Sequence, residues 1–174
     1  RGWLGVTPVL PYEADIRARL SVVARHIAPA QLKPDFAVAI LAGAFVFAAD
    51  LLRALAREGL SLPIEFLWLR SYADKRTGGE IAVLVGPTER IHGKTVLLID
   101  GVLDGGHTLA KAKELLINAE AAAVMTAVAV DKMRDDAVMV ADRALFAGTR
   151  GFLVGYGMDD VGADRGLPYI AAIA

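Results

Sequence analysis

The sequence predicts an α/β fold with a mostly parallel central sheet flanked by helices, and three observations predict it. Apolar runs that read as buried strands alternate with helix-patterned segments along the chain. Two of those runs, 36–41 and 96–99, pass through a glycine-containing turn straight into a helix. No internal repeat, low-complexity tract or Pro/Ser-rich linker interrupts the 174 residues, so residues 1–174 are expected to form one domain.

The first helix is expected over 12–28, where Ile16, Leu20, Val23, Ala24 and Ile27 share one stripe and Arg17, Arg19 and Arg25 lie off it. Residues 36–41 are continuously apolar, as a strand buried on both faces requires; Ala42-Gly43-Ala44 then turns the chain, and a helix follows over 45–58 with Gly59 to stop it. Pro63 introduces a strand over 64–69. The polar, glycine-bearing stretch 70–80 reads as an exposed mobile loop, and 81–85 as a returning strand ended by Pro87, giving a long-looped β-hairpin. A strand over 96–99, a loop over 100–106 and a helix over 108–118 come next. Residues 124–130 supply another buried strand ending at Asp131-Lys132, and a less regular tail contains Phe152-Leu-Val-Gly-Tyr-Gly-Met-Asp159.

Composition removes several function classes. With 19 basic and 20 acidic side chains the formal charge is −1, and no global field exists to hold nucleic acid or an anionic membrane. The absence of cysteine excludes disulfides, thiolate metal sites and a thiol nucleophile, while His26, His92 and His107 are widely scattered. The longest apolar stretch, 36–49, falls short of the about 20 residues that span a bilayer. The opening residues carry no secretory apolar core, and a cytoplasmic protein is expected.

The chemistry concentrates where a buried strand emerges into Asp100-Gly101-Val102-Leu103-Asp104-Gly105-Gly106-His107-Thr108. Strand C-termini are where open α/β sheets bind ligands. Gly105 and Gly106 let backbone amides approach an anion, the following helix start adds its dipole, and Thr108 offers a hydroxyl. The same Asp-Gly-Gly also makes an ordinary turn. No Gly-x-Gly-x-x-Gly follows a strand, which disfavours a dinucleotide enzyme.

This segment resembles the phosphoribosyl pyrophosphate motif of type I phosphoribosyltransferases. The likeness extends to the hypoxanthine-guanine phosphoribosyltransferases through Leu41-Ala-Gly-Ala-Phe-Val-Phe-Ala-Ala-Asp-Leu51, Arg70-Ser-Tyr72 with Thr77-Gly-Gly-Glu80, Val130-Asp-Lys132, and Leu153-Val-Gly-Tyr-Gly-Met-Asp159 to Arg165-Gly-Leu-Pro168, in family order. The resemblance implies a type I phosphoribosyltransferase fold with a small hood and a mobile β-hairpin lid. It implies transfer of ribose 5-phosphate from Mg-phosphoribosyl pyrophosphate to N9 of hypoxanthine or guanine, with Mg²⁺ as cofactor and pyrophosphate released.

It also assigns roles by position. Asp104 matches the catalytic carboxylate beside N7. Lys132 matches the lysine facing the 6-oxo group, Phe152 the stacking aromatic, Leu153 the backbone at the purine edge, and Asp159 an acid beside the base and at a second Mg²⁺ site. Asp100, Gly105, Gly106, His107 and Thr108 match the ribose and 5′-phosphate loop, with Asp100 also toward Mg²⁺. Ala42, Gly43, Ser71, Tyr72 and Arg165 match the pyrophosphate site, Ser71 and Tyr72 as lid residues. A homodimer or homotetramer is implied, for which the apolar second helix is the expected contact. Three positions depart from the pattern: Gly101 replaces a second acid, Gly105 a Thr or Ser, and Ala42 a basic residue. Restoring an acid at 101 is therefore expected to strengthen substrate binding. The alternatives are a weakly active or non-catalytic nucleotide-binding regulatory homologue, and a xanthine-preferring enzyme.

Overall fold

A computed structural model describes residues 7–8, 12–71 and 80–173 of the chain. Its elements in chain order are β1 (Thr7–Pro8), α1 (Glu13–Ile27), β2 (Phe36–Leu41), α2 (Phe45–Arg57), β3 (Ile64–Ser71), β4 (Ile81–Val85), a 3₁₀ turn (Glu89–Ile91), β5 (Thr95–Leu103), α3 (His107–Asn118), β6 (Ala123–Asp131), β7 (Arg143–Ala147), β8 (Phe152–Val154) and β9 (Ala171–Ile173). Six strands form one sheet in the order β4-β3-β2-β5-β6-β7, parallel throughout except for β4 at the edge. The mostly parallel sheet expected from the sequence is present. A second, three-stranded sheet, β1-β9-β8, is antiparallel and corresponds to the expected hood.

The strand sequences follow from double burial. Along β2, Ala37 and Ala39 pack into a core with α1 and α2, while Phe36, Val38 and Ile40 pack into a second core on the other side. On β5, Leu97 and Ile99 enter the first core and Val96 and Leu98 the second, so no position of 36–40 or 96–99 could be polar without facing one of the two cores. The five predicted stripe residues of α1 are all buried. Leu109, Ala112 and Leu116 of α3 cover the second core. Gly59 stops α2 at φ +80, which only glycine adopts without strain.

Two expectations change. The stretch 100–106 is not all loop, because β5 continues to Leu103 through the register pairs Val102↔Val130 and Leu103↔Asp131 with β6. Asp100 therefore lies within the strand, and Asp104 is the first residue beyond it. The irregular tail hides an additional parallel strand, β7, tied to β6 where Asp142 Oδ2 accepts from both the amide and the hydroxyl of Thr126. The expected lid segment, including Tyr72, lies outside the described residues, apart from the β3–β4 stem that pairs Ser71 with Ile81. Among the described residues no helix is long and apolar enough to cross a membrane.

Candidate active site

The C-terminal ends of β5 and β6, the β2–α2 turn and the segment after β8 converge on one cavity of about 220 Å³. Its wall contains Gly43, Asp104, Lys132, Phe152, Leu153, Asp159 and Arg165, with Val102 and Met158. Seven residues singled out from four separate stretches of sequence thus meet in one place. Phe152 is 52% exposed, so its ring is not core packing but stands at the cavity, whereas Leu153 is buried. Ala42, Ser71, Asp100, Gly105, Gly106, His107 and Thr108 are not among the lining residues; Asp100 and 105–108 belong to β5 and its connection into α3.

That connection is shaped by glycine. Gly106 caps α3 at φ +82, and the Gly105 carbonyl accepts from the Val138 amide at 3.0 Å, which lays 138–139 along the loop. A β-carbon at 105 would stand 3.2 Å from the His107 ring. His107 itself is exposed. No side chain caps the helix, so its first amides are available to an anion.

Asp104 carries the densest electrostatics. Lys132 Nζ donates to its Oδ2 at 2.6 Å and Arg134 to its Oδ1 at 2.8 Å, and the same Arg134 forks onto Asp136 at 2.8 and 2.7 Å. Burial alone would raise the Asp104 pKa, but the hydrogen bonds and charges of Lys132 and Arg134 outweigh it and hold the carboxyl below its ordinary value. Asp104 and Lys132 also line a second, more open cavity of about 650 Å³, shared with residues from both 133–136 and 148–150, so the ion pair stands between the two spaces. Arg134 was not singled out in the sequence, and only the fold of the β6–β7 connection turns it back onto Asp104.

On the opposite wall, Arg165 reaches Asp159 Oδ1 at 2.7 Å and donates to the Gly157 carbonyl at 2.7 Å, while Asp159 Oδ2 accepts from the Gly162 amide at 2.6 Å. Both oxygens of Asp159 are thus engaged, one by the Arg165 guanidinium and the other by the Gly162 amide. Asp100 accepts from the Gly101 amide at 2.7 Å, and burial pushes its carboxyl up to about 7 against that hydrogen bond. Among the described residues no group of three or more His, Cys, Asp or Glu could hold a metal. Those residues form no cage of protein donors, so a hard cation such as Mg²⁺ would take most of its ligands from substrate oxygens and water.

Gly101 lies directly under the β2–α2 turn. A β-carbon there would stand 2.8 Å from the Gly43 carbonyl oxygen and 3.5 Å from Met158 Cγ. An acid at 101 cannot simply be added, because the β2–α2 turn lies on the glycine. Gly101→Asp is instead expected to cost about 1–3 kcal/mol of stability, the usual range for overpacking, read as a fall in thermal midpoint of the ligand-free protein. An unchanged midpoint would show that the turn yields freely.

The comparisons agree with this geometry. The phosphoribosyl transferase domain family matches residues 11–160. The hypoxanthine-guanine phosphoribosyltransferase of Dictyostelium discoideum is 32% identical over 165 residues, covering 92% of each chain, and the hypoxanthine phosphoribosyltransferase of Escherichia coli K12 is 31% identical over 166 residues with the same coverage. The structure of the Trypanosoma cruzi hypoxanthine phosphoribosyltransferase in complex with its product IMP superposes with a TM-score of 0.87 at 27% identity, covering 100% of this chain and 97% of that one. The mostly parallel sheet with its glycine-rich strand-to-helix loop at the carboxyl edge matches the fold of these phosphoribosyltransferases. The chain belongs to the phosphoribosyltransferase family and, within it, to the hypoxanthine-guanine phosphoribosyltransferases.

Proposed function

We propose that the protein is a purine-salvage enzyme that transfers ribose 5-phosphate from phosphoribosyl pyrophosphate to N9 of hypoxanthine or guanine. The observation that carries this reading is the single cavity walled by Asp104, Lys132, Phe152, Asp159, Arg165 and Gly43. Phe152 stacks on the base, the Lys132 ammonium donates to the 6-oxo oxygen, and the Leu153 backbone addresses the purine edge. Adenine presents an amino donor to the same ammonium and is rejected. The Gly105–Thr108 amides and the Thr108 hydroxyl hold the 5′-phosphate at the start of α3. The amides of the Ala42–Gly43 turn and Arg165 hold the pyrophosphate, and Ser71 and Tyr72 close over the centre.

As the C1–oxygen bond breaks, its electron pair leaves with pyrophosphate, the N9–C1 bond forms with inversion, and Asp104 accepts the proton from N7. The same carboxylate favours the positive charge that develops at C1. Mg²⁺, when bound beside Asp100, supplies charge neutralisation to the leaving pyrophosphate. Arg134 and Lys132 hold Asp104 ionised.

Residues 1–174 act as one phosphoribosyltransferase domain in this reading, and the absence of cysteine suits a cytoplasmic setting. The second helix does not supply a subunit contact through its main apolar face, since Phe47, Leu51 and Leu55 are buried within the chain. A homodimer or homotetramer is better supported by Phe66, Trp68, Val83, Leu84 and Val85 of β3 and β4, each 42–48% exposed at the edge of the sheet.

The test is pyrophosphate release from Mg-phosphoribosyl pyrophosphate with hypoxanthine, guanine, xanthine or adenine. Release is expected with hypoxanthine or guanine and not with adenine. Release with xanthine alone identifies the xanthine-preferring variant. A second reading, the weakly active or non-catalytic homologue, draws on Gly101 being covered by the Gly43 turn where a second acid is absent. Nucleotide binding without release from any base would establish it.

A further inference from the structure

The steps above leave one half-buried polar pair unused. Asp50 lies on α2, the helix that opens directly after the Ala42–Gly43 turn, and Tyr156 lies in the turn that leads from β8 to Asp159. The Tyr156 hydroxyl donates to Asp50 Oδ2 at 3.1 Å across 106 residues of sequence, while its ring, 3% exposed, tilts against Phe47 at a centroid distance of 6.4 Å. Asp50 Oδ1 accepts from Arg53 at 3.2 Å, so the carboxylate is held on its own helix as well.

Tyr156 stands at φ 51, in the left-handed region that a bulky residue rarely adopts, with its amide fixed to the Leu167 carbonyl at 2.9 Å. Its neighbour Gly157 is the contact between the two flanks of the cavity. A β-carbon on Gly157 would stand 2.6 Å from the Gly43 carbonyl oxygen, and Gly157 exchanges two hydrogen bonds with Arg165, its amide to the Arg165 carbonyl at 2.9 Å and its carbonyl from the Arg165 guanidinium at 2.7 Å. Arg165 in turn pairs with Asp159. Any sliding of α2 against the 155–158 turn therefore moves the Gly43 backbone relative to Arg165, and the Tyr156–Asp50 hydrogen bond, beside the Tyr156–Phe47 ring contact, is a side-chain tie that spans those two elements.

We propose that Tyr156 and Asp50 are a positioning pair that sets the spacing between the Gly43 turn and Arg165, and so tunes the affinity for the pyrophosphate group without touching it. The identity of the ligand rests on the proposed function; the tie between the elements does not. The purine wall, built by Phe152, Leu153 and Lys132, lies on β8 and at the end of β6 and is not spanned by this bond.

Tyr156→Phe keeps the ring on Phe47 and removes only the hydroxyl, Asp50→Ala removes the acceptor, and Asp50→Asn retains an acceptor oxygen. Binding of Mg-pyrophosphate is measured by titration calorimetry, and the Michaelis constants for Mg-phosphoribosyl pyrophosphate and for the base are measured separately. Tyr156→Phe and Asp50→Ala are expected to weaken pyrophosphate binding and raise the phosphoribosyl pyrophosphate constant about tenfold, the scale of one charge-assisted hydrogen bond, with the constant for the base within about twofold. Asp50→Asn is expected to recover most of the loss. If Asp50→Ala does not fold, Tyr156→Phe decides alone.

Unchanged pyrophosphate affinity in folded Tyr156→Phe overturns the proposal, as does equal weakening toward base and pyrophosphate, which is what a merely structural tie would produce. A parent protein that binds no Mg-pyrophosphate overturns it too. A parent that binds Mg-pyrophosphate but turns over no base defeats the proposed function alone, and the calorimetry still decides the positioning pair.

Discussion

Asp104→Asn is expected to lower turnover roughly 10²–10⁴-fold, the range lost with a positioned acid or base, while the protein remains folded. The amide is nearly isosteric, so the start of the anion loop keeps its shape. What it loses is the negative charge that Lys132 and Arg134 surround at 2.6 and 2.8 Å. In the parent those cations hold the carboxyl below its ordinary pKa, so it stays ionised through the mildly acidic range and no protonation of Asp104 limits turnover there. The same cations make it a weak base. The check is steady-state turnover of parent and variant beside their thermal melts; near-normal turnover in a folded Asp104→Asn protein would remove Asp104 from the role of base.

Lys132→Ala is expected to raise the Michaelis constant for hypoxanthine or guanine about 10–100-fold, since a hydrogen bond to a charged group is typically worth about 1.5–3 kcal/mol. The ammonium is largely buried, with 14% of its side chain exposed, so water replaces it poorly. Its removal also leaves Asp104 to Arg134 alone, and turnover falls as well as base affinity. Binding of Mg-pyrophosphate, held by other residues, is expected to stay within a few-fold of the parent. Separate constants for base and phosphoribosyl pyrophosphate make the measurement, and an unchanged constant for the base would contradict a donor at the 6-oxo group.

Much of the scaffold was legible in the sequence because it rests on local and binary patterns. The stripe of α1, the apolar runs of β2 and β5 and the glycine after α2 are each explained by the burial and backbone angles they acquire. Strand β7 was not legible. Its five residues begin with Arg143, its apolar run is only the four residues 144–147, two of them alanine, and only Leu145 is buried, so the pattern is too short to mark a strand. The extension of β5 past Asp100 was missed because an acid and a glycine read as the start of a loop, while their place in the strand depends on pairing with β6.

The sequence by itself determined the family blocks and therefore Asp104, Lys132, Phe152, Asp159 and Arg165 as a set, which the fold gathers into one cavity. Only the tertiary structure decided how those residues are held. That Arg134 closes on Asp104 across 30 residues, that Tyr156 meets Asp50 across 106, that Asp159 is already paired with Arg165, and that Gly101 lies against the Gly43 carbonyl are facts of approach between elements. Residue type sets what a side chain can donate, accept or bury. Which partner satisfies it is decided when sheet register and helix docking bring distant segments within hydrogen-bond range, because charge pairing and steric exclusion act over a few ångströms and carry no local sequence signature.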